Sequence, residues 1–348
     1  MKKAVALISG GLDSMLAVRV IQEQGIYVEG INFYTGFCIE GHTQAIRNSN
    51  PQQTKPKRNN ALWAAEQLGI KLHIIDIIQE YKQIVLNPKH GYGAHLNPCL
   101  DCKIFMISKA KQWMEQYQFD FIITGEVIGQ RPKSQLKKNM PIVTVESKTE
   151  DILLRPLCAK LLAPTLVERE GWVDREKLHG FSGRSRGPQF DLAKTLGFQE
   201  YAQPAGGCCF LTNGHYTQKL KDLWQHRGEK DYEFDDIILL KVGRHIRPHP
   251  DFKLIIGRDE GENHFLETYQ HQYTAIKPIS HLGPLSLIDG KITAEYIHYA
   301  AQIAARFSDA KSNDKVTMEI NSLSGSIQTV QVNPFTADQI PKEWYISG

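Results

Sequence analysis

The sequence predicts an α/β protein in which a doubly wound parallel sheet is followed by a smaller α+β domain. Apolar runs of strand length alternate with helical patterns from residue 3 to about residue 124, which is typical of parallel strands joined by crossover helices. Beyond about residue 212, short apolar runs follow one another with fewer helices between them. We therefore expect a nucleotide-binding domain at 1–175, a cysteine-bearing segment that completes the active site at 176–215, and an α+β domain at 216–348.

The composition is that of a globular protein. The 348 residues are 41% apolar and 23% charged, which excludes a disordered chain and allows two or three domains. The sequence has no apolar run of about eighteen residues and no signal-peptide pattern, so we expect a cytoplasmic protein without membrane contact. Its six cysteines are then expected as thiols, metal ligands or catalytic groups. The formal net charge of +3 permits a nucleic-acid partner without requiring one.

Apolar periodicity predicts the individual elements. The predicted strands are Lys3–Ile8, Tyr27–Tyr34, Lys71–Asp76, Phe119–Thr124, Ile152–Leu157, Ile237–Val242 and Lys253–Gly257. The predicted helices are Met15–Gln24, Asn60–Leu68, Ile104–Tyr117, Glu168–Gly187, Gln189–Leu196, Tyr216–His226 and Thr293–Phe307. Polar residues predict a long loop at 35–57, which carries Cys38 and His42. Because ligands bind at the carboxyl ends of parallel strands, we expect the loops at that edge to carry the function.

The hexapeptide SGGLDS, directly after the first predicted strand, is the strongest motif. Gly10 and Gly11 permit a positive φ and leave no Cβ in the path of an anion. The N–H groups of the following helix start, with the hydroxyls of Ser9 and Ser14, predict a phosphate cradle. Asp13 would repel phosphate there unless it holds Mg²⁺ or caps the helix, so the motif favours a metal–pyrophosphate complex. The spacing of a Walker-type loop is absent.

Two later loops combine glycine with positive charge. In GEVIGQRPKSQ, Gly125 would let the backbone approach an adenine or ribose, and Arg131 with Lys133 suits phosphate. A solvated turn is the alternative for this loop. In SGRSRGPQ, Arg184 and Arg186 suit contacts to nucleic-acid phosphates. An ordinary exposed linker explains that composition equally well.

Four of the cysteines lie in two short motifs. Cys99 and Cys102 form a C-x-x-C at the expected junction of a loop and a helix, where the helix N-terminus would lower their pKa and favour thiolate. Cys208 and Cys209 are adjacent and follow a Gly-Gly turn. The cysteines expected as bystanders are Cys38 and Cys158, the latter in an apolar setting typical of a core residue.

The residues alone leave several chemistries open for these thiols. A tetrahedral Zn²⁺ site built from both pairs is disfavoured, because adjacent side chains rarely converge on one ion. Three thiolates with one open position suit a [4Fe–4S] cluster whose fourth iron takes a sulfur ligand. Without metal, one thiolate would carry a persulfide and another would resolve it as a disulfide. Structural zinc or plain buried cysteine is the alternative without a catalytic role.

Together the motifs resemble known families. SGGLDS after an N-terminal strand resembles the PP-loop of the ATP-pyrophosphatase superfamily, whose members adenylate an oxygen and release pyrophosphate. NPCLDCK before a helix and the later GGCC turn resemble the tRNA-uridine thiolases, in particular the tRNA 2-thiouridylase group. The strings GEVIGQRPKSQ, GWVDREKL, SGRSRGPQ and PAGGC are similar to a thiolase-like branch in which a domain related to the NFACT RNA-binding module follows.

This resemblance implies a reaction and a set of site residues. ATP with Mg²⁺ would adenylate a base carbonyl in RNA, in particular tRNA, and sulfur from a donor protein or sulfide would replace the oxygen. Cys99 stands where members thought to carry a cluster have cysteine, which favours the [4Fe–4S] cluster. The implied catalytic residues are Asp13, Cys99, Cys102 and Cys208, with the cysteines as metal ligands and Cys209 as the alternative third ligand. The implied nucleotide-binding residues are Ser9, Gly10, Gly11, Asp13, Ser14, Gly125 and Arg131. The residues expected on RNA phosphates are Arg184, Arg186, Arg244 and Arg247.

Two departures from the family pattern keep other functions open. Lys103 rather than asparagine follows Cys102, and the C-terminal sequence does not predict the β-barrel of standard 2-thiouridylases. One alternative is a PP-loop ligase or amidotransferase that acts on a small molecule and binds zinc through its cysteines. Another is a non-catalytic RNA-binding protein that keeps its PP-loop for regulation.

Overall fold

The computed structural model of the protein describes residues 1–39, 58–202 and 208–347. Most of the predicted loop over residues 35–57, including His42, lies outside the described residues. Among the helices that the structure describes, none is long and apolar enough to cross a membrane.

The chain divides into two compact units, each with its own sheet. The first unit lies within Met1–Thr35 and Arg58–Cys208, and the second within Gly36–Lys57 and Cys209–Gly348. The border after residue 208 separates two cysteines that are neighbours in the sequence.

The first unit contains a five-stranded parallel sheet in the spatial order β3-β2-β1-β4-β5. Its strands are β1 (Lys3–Leu7), β2 (Tyr27–Tyr34), β3 (Leu72–Asp76), β4 (Phe121–Thr124) and β5 (Leu153–Leu154). Its helices are α1 (Leu12–Gln22), α2 (Asn60–Leu68), α3 (Ile78–Leu86), α4 (Cys99–Gln116), α5 (Met140–Glu146), α6 (Leu166–Arg169) and α7 (Gly187–Thr195). This arrangement confirms the predicted doubly wound parallel sheet.

Both faces of this sheet are covered, as its continuously apolar strands require. Ala4 and Ala6 of β1 belong to a buried cluster that also contains Met15 of α1. Val5, which points to the opposite face, lies in a second cluster with Ile107 of α4. Covering both faces leaves the carboxyl ends of the strands as the place for a site.

The predicted helix at Glu168–Gly187 is wrong. The chain forms only the short helix α6 and a 3₁₀ turn at Arg175–Lys177 before α7 begins. Gly171 has a φ of +66° and Gly183 a φ of +86°, and both conformations are incompatible with a continuous helix. The charged pattern in this stretch belongs to an irregular segment that reaches the site described below.

The second unit contains a six-stranded antiparallel sheet in the order β11-β10-β8-β9-β7-β6. Its strands are β6 (Arg244–His249), β7 (Phe252–Ile256), β8 (Thr274–Pro278), β9 (Ser286–Gly290), β10 (Val316–Asn321) and β11 (Ile327–Val332). Its helices are α8 (Gly214–Arg227), α9 (Phe234–Leu239), α10 (Glu260–Glu267) and α11 (Ala294–Ala305). Leu254 of β7 packs in a cluster with Ala301 and Ala304 of α11, which is the clearest amphipathic helix in this part of the sequence.

The predicted strand at Ile237–Val242 is also wrong, because its first residues belong to helix α9. A capping box in which Glu233 and Asp236 exchange side-chain hydrogen bonds with each other's backbone starts this helix. A short apolar run is compatible with either a buried helix or a buried strand, so periodicity could not decide. The turn expected after it does occur, since Gly243 has a φ of +70°, and strand β6 follows directly.

Candidate active site

The SGGLDS motif forms a tight turn between β1 and α1. Gly10 has a φ of +75°, and a Cβ at this position would lie 2.6 Å from the carbonyl carbon of Asn60, so only glycine fits. Gly11 is extended and caps α1, which therefore begins three residues before the predicted start. The hydroxyl of Ser14 donates to the Gly11 carbonyl at 2.7 Å, whereas Ser9 is exposed. Ser9 is thus the hydroxyl that faces outward at the turn.

Asp13 lies in the first turn of α1 within a polar network. The side-chain amide of Gln130 donates to its Oδ2, and the guanidinium of Arg186 lies 3.9 Å from the same oxygen. Gln189 orients Gln130 through a hydrogen bond of 2.6 Å between their amides. Burial raises the pKa of Asp13, which the Gln130 hydrogen bond and the charges of Arg186 and Arg131 oppose. Its Oδ1 is buried and has no hydrogen-bond partner among the described residues.

The loop that follows β4, residues 125–135, connects this turn to the cysteines. Near its middle, Gln130 binds Asp13. Near its end, the hydroxyl of Ser134 accepts a hydrogen bond from the Cys99 thiol at 3.4 Å. The same loop therefore contacts the candidate nucleotide site and the first candidate sulfur residue.

Backbone contacts attach the 125–135 loop to both of its neighbours. A Cβ on Gly125 would lie 2.4 Å from the carbonyl group of Asp13, so the loop packs directly on the start of α1. The Gly183 N–H donates to the Ile128 carbonyl at 2.7 Å. That bond brings the SGRSRGPQ loop to the site and explains why Arg186, expected on RNA, lies beside Asp13. Gly125 was expected to make room for a nucleotide, and its binding role stays a prediction.

Cys99 and Cys102 lie inside the first turn of α4 rather than in a loop before it, because the helix begins five residues before the predicted start. Burial, and then the neighbouring Cys208 and Cys99 thiols, raise the pKa of Cys102 to about 12. The predicted lowering of this pKa by the helix N-terminus is therefore wrong for Cys102, because burial outweighs the helix field. Cys208 is thus one of the groups that act electrostatically on Cys102.

Sequence reasoning missed a buried ion cluster beside the cysteines. Glu126 is 2% exposed, and its carboxylate accepts hydrogen bonds from Arg155 and Thr124, both at 3.0 Å. The ammonium of Lys103, next to Cys102 in the sequence, lies 3.7 Å from the other carboxylate oxygen. Burial would raise the pKa of Glu126, but the charges of Lys103 and Arg155 hold it below its usual value. The one available signal was a charged residue two positions after the end of an apolar strand.

The other cysteines lie in different surroundings. Cys158 is fully buried and donates to the carbonyl of Glu126 at 3.2 Å, as expected of a core residue. Cys209 belongs to the second unit, where it pairs with Cys38 in an isolated antiparallel bridge. Cys208, in contrast, belongs to the first unit and is exposed.

The arginines expected on RNA also differ from one another. Arg184 and Arg244 are exposed. Arg247 is held by two hydrogen bonds from its guanidinium to the carboxylate of Asp222, at 2.6 and 2.8 Å, so its charge is already compensated. Asp222 therefore holds the Arg247 side chain within the protein, and the contact of Arg247 with RNA phosphate stays a prediction.

Comparisons with known proteins agree with this geometry. Residues 2–166 match the family described as the tRNA methyl transferase HUP domain, and residues 243–345 match the NFACT protein RNA binding domain. The tRNA-specific 2-thiouridylase MnmA of Pelobacter propionicus is 32% identical over 270 residues, covering 75% of this chain and 67% of that protein. MnmA 3 of Phocaeicola vulgatus is 30% identical, covering 53% and 50%, and MnmA of Mesoplasma florum is 29% identical, covering 47% and 46%. The chain spans about half the length of the first curated relatives that it matches.

The fold and the turn after β1 define a PP-loop protein whose HUP domain is followed by a domain of the NFACT RNA-binding type. More particularly, the chain belongs to the family of tRNA 2-thiouridylase-like proteins within the PP-loop ATP-pyrophosphatase superfamily. Both parts of the resemblance drawn from the sequence are thereby confirmed.

Proposed function

We propose that the protein is an ATP-dependent sulfurtransferase that adenylates a base carbonyl in tRNA and replaces its oxygen with sulfur. The observation that carries this proposal is the 125–135 loop, which binds Asp13 of the PP-loop and also Cys99. Within the first unit, one loop therefore contacts both the candidate nucleotide-binding motif and a candidate sulfur residue. Relatives named tRNA-specific 2-thiouridylases support the substrate class.

The first step activates a poor leaving group. The base carbonyl oxygen attacks the α-phosphate of ATP, and pyrophosphate departs. Ser9, Gly10, Gly11 and the first turn of α1 would hold the departing pyrophosphate, since helix N-termini bind anions. Arg131 and Arg186, whose charges act on Asp13, would add positive charge beside it.

Asp13 fits a Mg²⁺ site. Its Oδ1 is buried without a partner among the described residues, which is where a cation would complete the coordination of a carboxylate. Mg²⁺ bound there would neutralise the negative charge that develops on pyrophosphate.

Cys99, Cys102 and Cys208 are the thiols that we propose for sulfur delivery, and Cys209 remains the alternative third ligand. Their donor type fits a [4Fe–4S] cluster, which would supply an open iron position for a sulfur ligand. The parts of the chain that the structure describes contain no group of three ligating side chains placed to hold a single metal ion.

A second candidate for sulfur delivery is a persulfide on Cys208. The electrostatic interaction between Cys102 and Cys208 favours it, because a resolving thiol must reach the sulfur carrier. The outer sulfur of the persulfide attacks the adenylated carbon and AMP leaves. Cys102 then attacks the Cys208 sulfur, which gives a Cys102–Cys208 disulfide and releases the thiocarbonyl base.

In this proposal, residues 1–175 bind ATP, residues 176–215 complete the active site, and residues 216–348 bind RNA in the cytoplasm. The primary test measures conversion of ATP to AMP and pyrophosphate by the full-length protein with and without tRNA. We expect tRNA to stimulate ATP turnover, and Asp13→Ala to abolish it. The control variant Asp191→Ala, which changes an exposed residue of α7, should turn over ATP as the wild type does. ATP turnover that does not change when RNA is added would favour a small-molecule ligase. Absence of turnover would favour a non-catalytic RNA-binding protein.

Nucleoside mass spectrometry identifies the product. RNA from a deletion strain should lack one thionucleoside, and the wild-type chain should restore it. An unchanged nucleoside profile contradicts the proposal.

Substitution of Cys99 separates the two sulfur mechanisms. Cys99→Ala should abolish thiolation and iron-dependent visible absorption of anaerobically purified protein if a cluster is used. It should spare thiolation if Cys102 and Cys208 exchange a persulfide.

A further inference from the structure

We propose that Cys38 and Cys209 form a reversible disulfide, a modification site that uses none of Cys99, Cys102 and Cys208. The two residues face each other in an isolated antiparallel bridge within the second unit. Both carry thiols in this structure. The bridge joins the segment after β2 to the segment that begins directly after Cys208.

The hydrogen-bond pattern determines how close the two residues are. The N–H of Phe210 donates to the carbonyl of Phe37 at 2.9 Å, so the bond flanks the cysteine pair rather than joining its two members. Cys38 and Cys209 are therefore a non-hydrogen-bonded pair, in which Cα atoms are about 4.5 Å apart and side chains lie closest. A disulfide requires Cα atoms about 4.4–6.8 Å apart, so the backbone can accept the bond.

Aromatic packing holds both strands of the bridge in place. Phe37 is fully buried and meets the rings of Tyr216 and Tyr232 edge-on, with centroids 6.1 and 5.6 Å away. On the other strand, Phe210 also packs on Tyr216, at 5.3 Å. The cysteines thus face each other on a packed support, which reduces the loss of chain entropy when the bond forms.

A cation lies beside the pair. The ammonium of Lys241 donates to the Gly36 carbonyl at 2.5 Å and lies 5.0 Å from the ring centroid of Phe210. It therefore contacts both strands, and it interacts electrostatically with both Cys38 and Cys209.

The chemistry needs a small-molecule disulfide as oxidant, and glutathione disulfide is the probe. Cys38 is half-buried and Cys209 is buried, so Cys38 reacts first. Its thiolate attacks one glutathione sulfur, forming a mixed disulfide and releasing one glutathione. Cys209 then attacks the Cys38 sulfur and releases the second glutathione. The two protein thiols lose two electrons and two protons, and the oxidant becomes two glutathione thiols.

The test uses the reduced full-length protein, incubated with glutathione disulfide, alkylated, digested without reductant and analysed by mass spectrometry. We expect a peptide that links Cys38 to Cys209, and its loss to background in Cys38→Ser and in Cys209→Ser. Cys158→Ala, which removes a buried thiol of the first unit, is the matched control and should leave the yield unchanged.

A second measurement keeps the result independent of how the variants fold. The wild-type protein unfolded in guanidinium before oxidation should give mixed pairings, whereas the native protein should give the Cys38–Cys209 link. Recovery of both residues as alkylated thiols from native protein, or of Cys209 linked to Cys208, overturns the proposal. The experiment measures a covalent bond between two cysteines and not thiolation of RNA. Failure of the disulfide proposal can therefore be distinguished from failure of the proposed function.

Discussion

At the scale of single residues, the carboxyl group of Asp13 lies in surroundings that disfavour its charged form. Its carboxylate is partly withdrawn from water, and burial raises its pKa from the ordinary carboxyl value. One oxygen has the Gln130 amide as a partner, whereas the other has none among the described residues. A buried polar atom without a partner costs free energy in the isolated protein. Under the proposed function, a cation bound at this oxygen would compensate the cost.

Asp13→Asn should separate stability from activity. Because the folded state raises the pKa of Asp13, the charged form destabilises the fold at every pH above the ordinary carboxyl pKa. The substitution should therefore raise the melting temperature at pH 7, by about 2–4 °C for each kcal/mol relieved. The gain should disappear as the pH falls below the ordinary carboxyl pKa, where both states are protonated. ATP turnover should fall on the order of 10²-fold.

Thermal unfolding from pH 3 to pH 8 measures this effect, with the exposed Asp191→Asn as the control that should change neither quantity. A lower melting temperature for Asp13→Asn at pH 7 would contradict the account of Asp13 given above.

The same residues show what a sequence can predict at this scale. SGGLDS predicted a tight turn, and the structure contains it because Gly10 needs both a positive φ and a missing Cβ. The state of Cys102 could not be predicted, because Cys208, far away in the sequence, contributes to its pKa. The position of Arg186 beside Asp13 could not be predicted either, since only the fold brings the two together, and its contact with RNA stays a prediction. Residue types indicate the chemistry, and long-range packing decides the electrostatics.

At the scale of elements, the 125–135 loop has the strictest packing requirement. Gly125 lies where a Cβ would come within 2.4 Å of the Asp13 backbone, which cannot move without shifting the start of α1. The position of helix α1 is therefore coupled to the position of the 125–135 loop where it leaves β4. A small change at this contact should disturb nucleotide binding, even if Gly125 itself touches no ligand.

Gly125→Ala should destabilise the protein by about 1–3 kcal/mol, because the added methyl group overpacks a backbone contact. It should also weaken ATP binding, since the first turn of α1 must shift. Gly187→Ala is the matched control: a Cβ there meets only the Ser185 hydroxyl at an ordinary 3.8 Å. Chemical denaturation and nucleotide titration measure both effects, and equal behaviour of the two variants would contradict the packing argument.

Elements with long apolar periodicity or clear caps were predicted well, and the others were not. Helix α2 matches its prediction because Asn59 caps its start and Gly69, with a φ of +62°, ends it. The segment at 168–187 has a helical composition, but glycines in the left-handed region divide it. Helix α9 was predicted as a strand because its apolar run is too short for its period to be recognised. Its capping residues, Glu233 and Asp236, were the signal that could have found it.

At the scale of the whole molecule, positive charge in the second unit serves two purposes. Arg247 is compensated by Asp222, whose pKa burial would raise but the Arg247 hydrogen bonds and the Lys253 charge hold below its usual value. Arg244 is exposed near the ring of Phe307, with 5.3 Å between its guanidinium carbon and the ring centroid. The first arginine therefore stabilises the fold, and the second is available to a polyanion such as RNA.

The two arginines should respond differently to substitution. Arg247→Ala should lower the free energy of unfolding by about 3 kcal/mol, because it leaves Asp222 buried with a weaker partner. Arg244→Ala should leave unfolding unchanged, lower the affinity for tRNA, and reduce the slope of log affinity against log salt by about 1. Denaturation curves and tRNA titrations at several salt concentrations measure both. An unchanged salt slope in Arg244→Ala excludes this residue from RNA contact.

The border between the units has a consequence for how such a protein can diversify. The chain crosses this border at 35/36, at 57/58 and between Cys208 and Cys209, and every proposed nucleotide and sulfur residue except the alternative ligand Cys209 belongs to the first unit. In modular terms, replacing the second unit would mean exchanging residues 36–57 together with the residues after 208, and the residues proposed for nucleotide and sulfur chemistry would stay in place. The second unit is therefore not a simple C-terminal appendage, because one of its segments interrupts the sequence of the first unit.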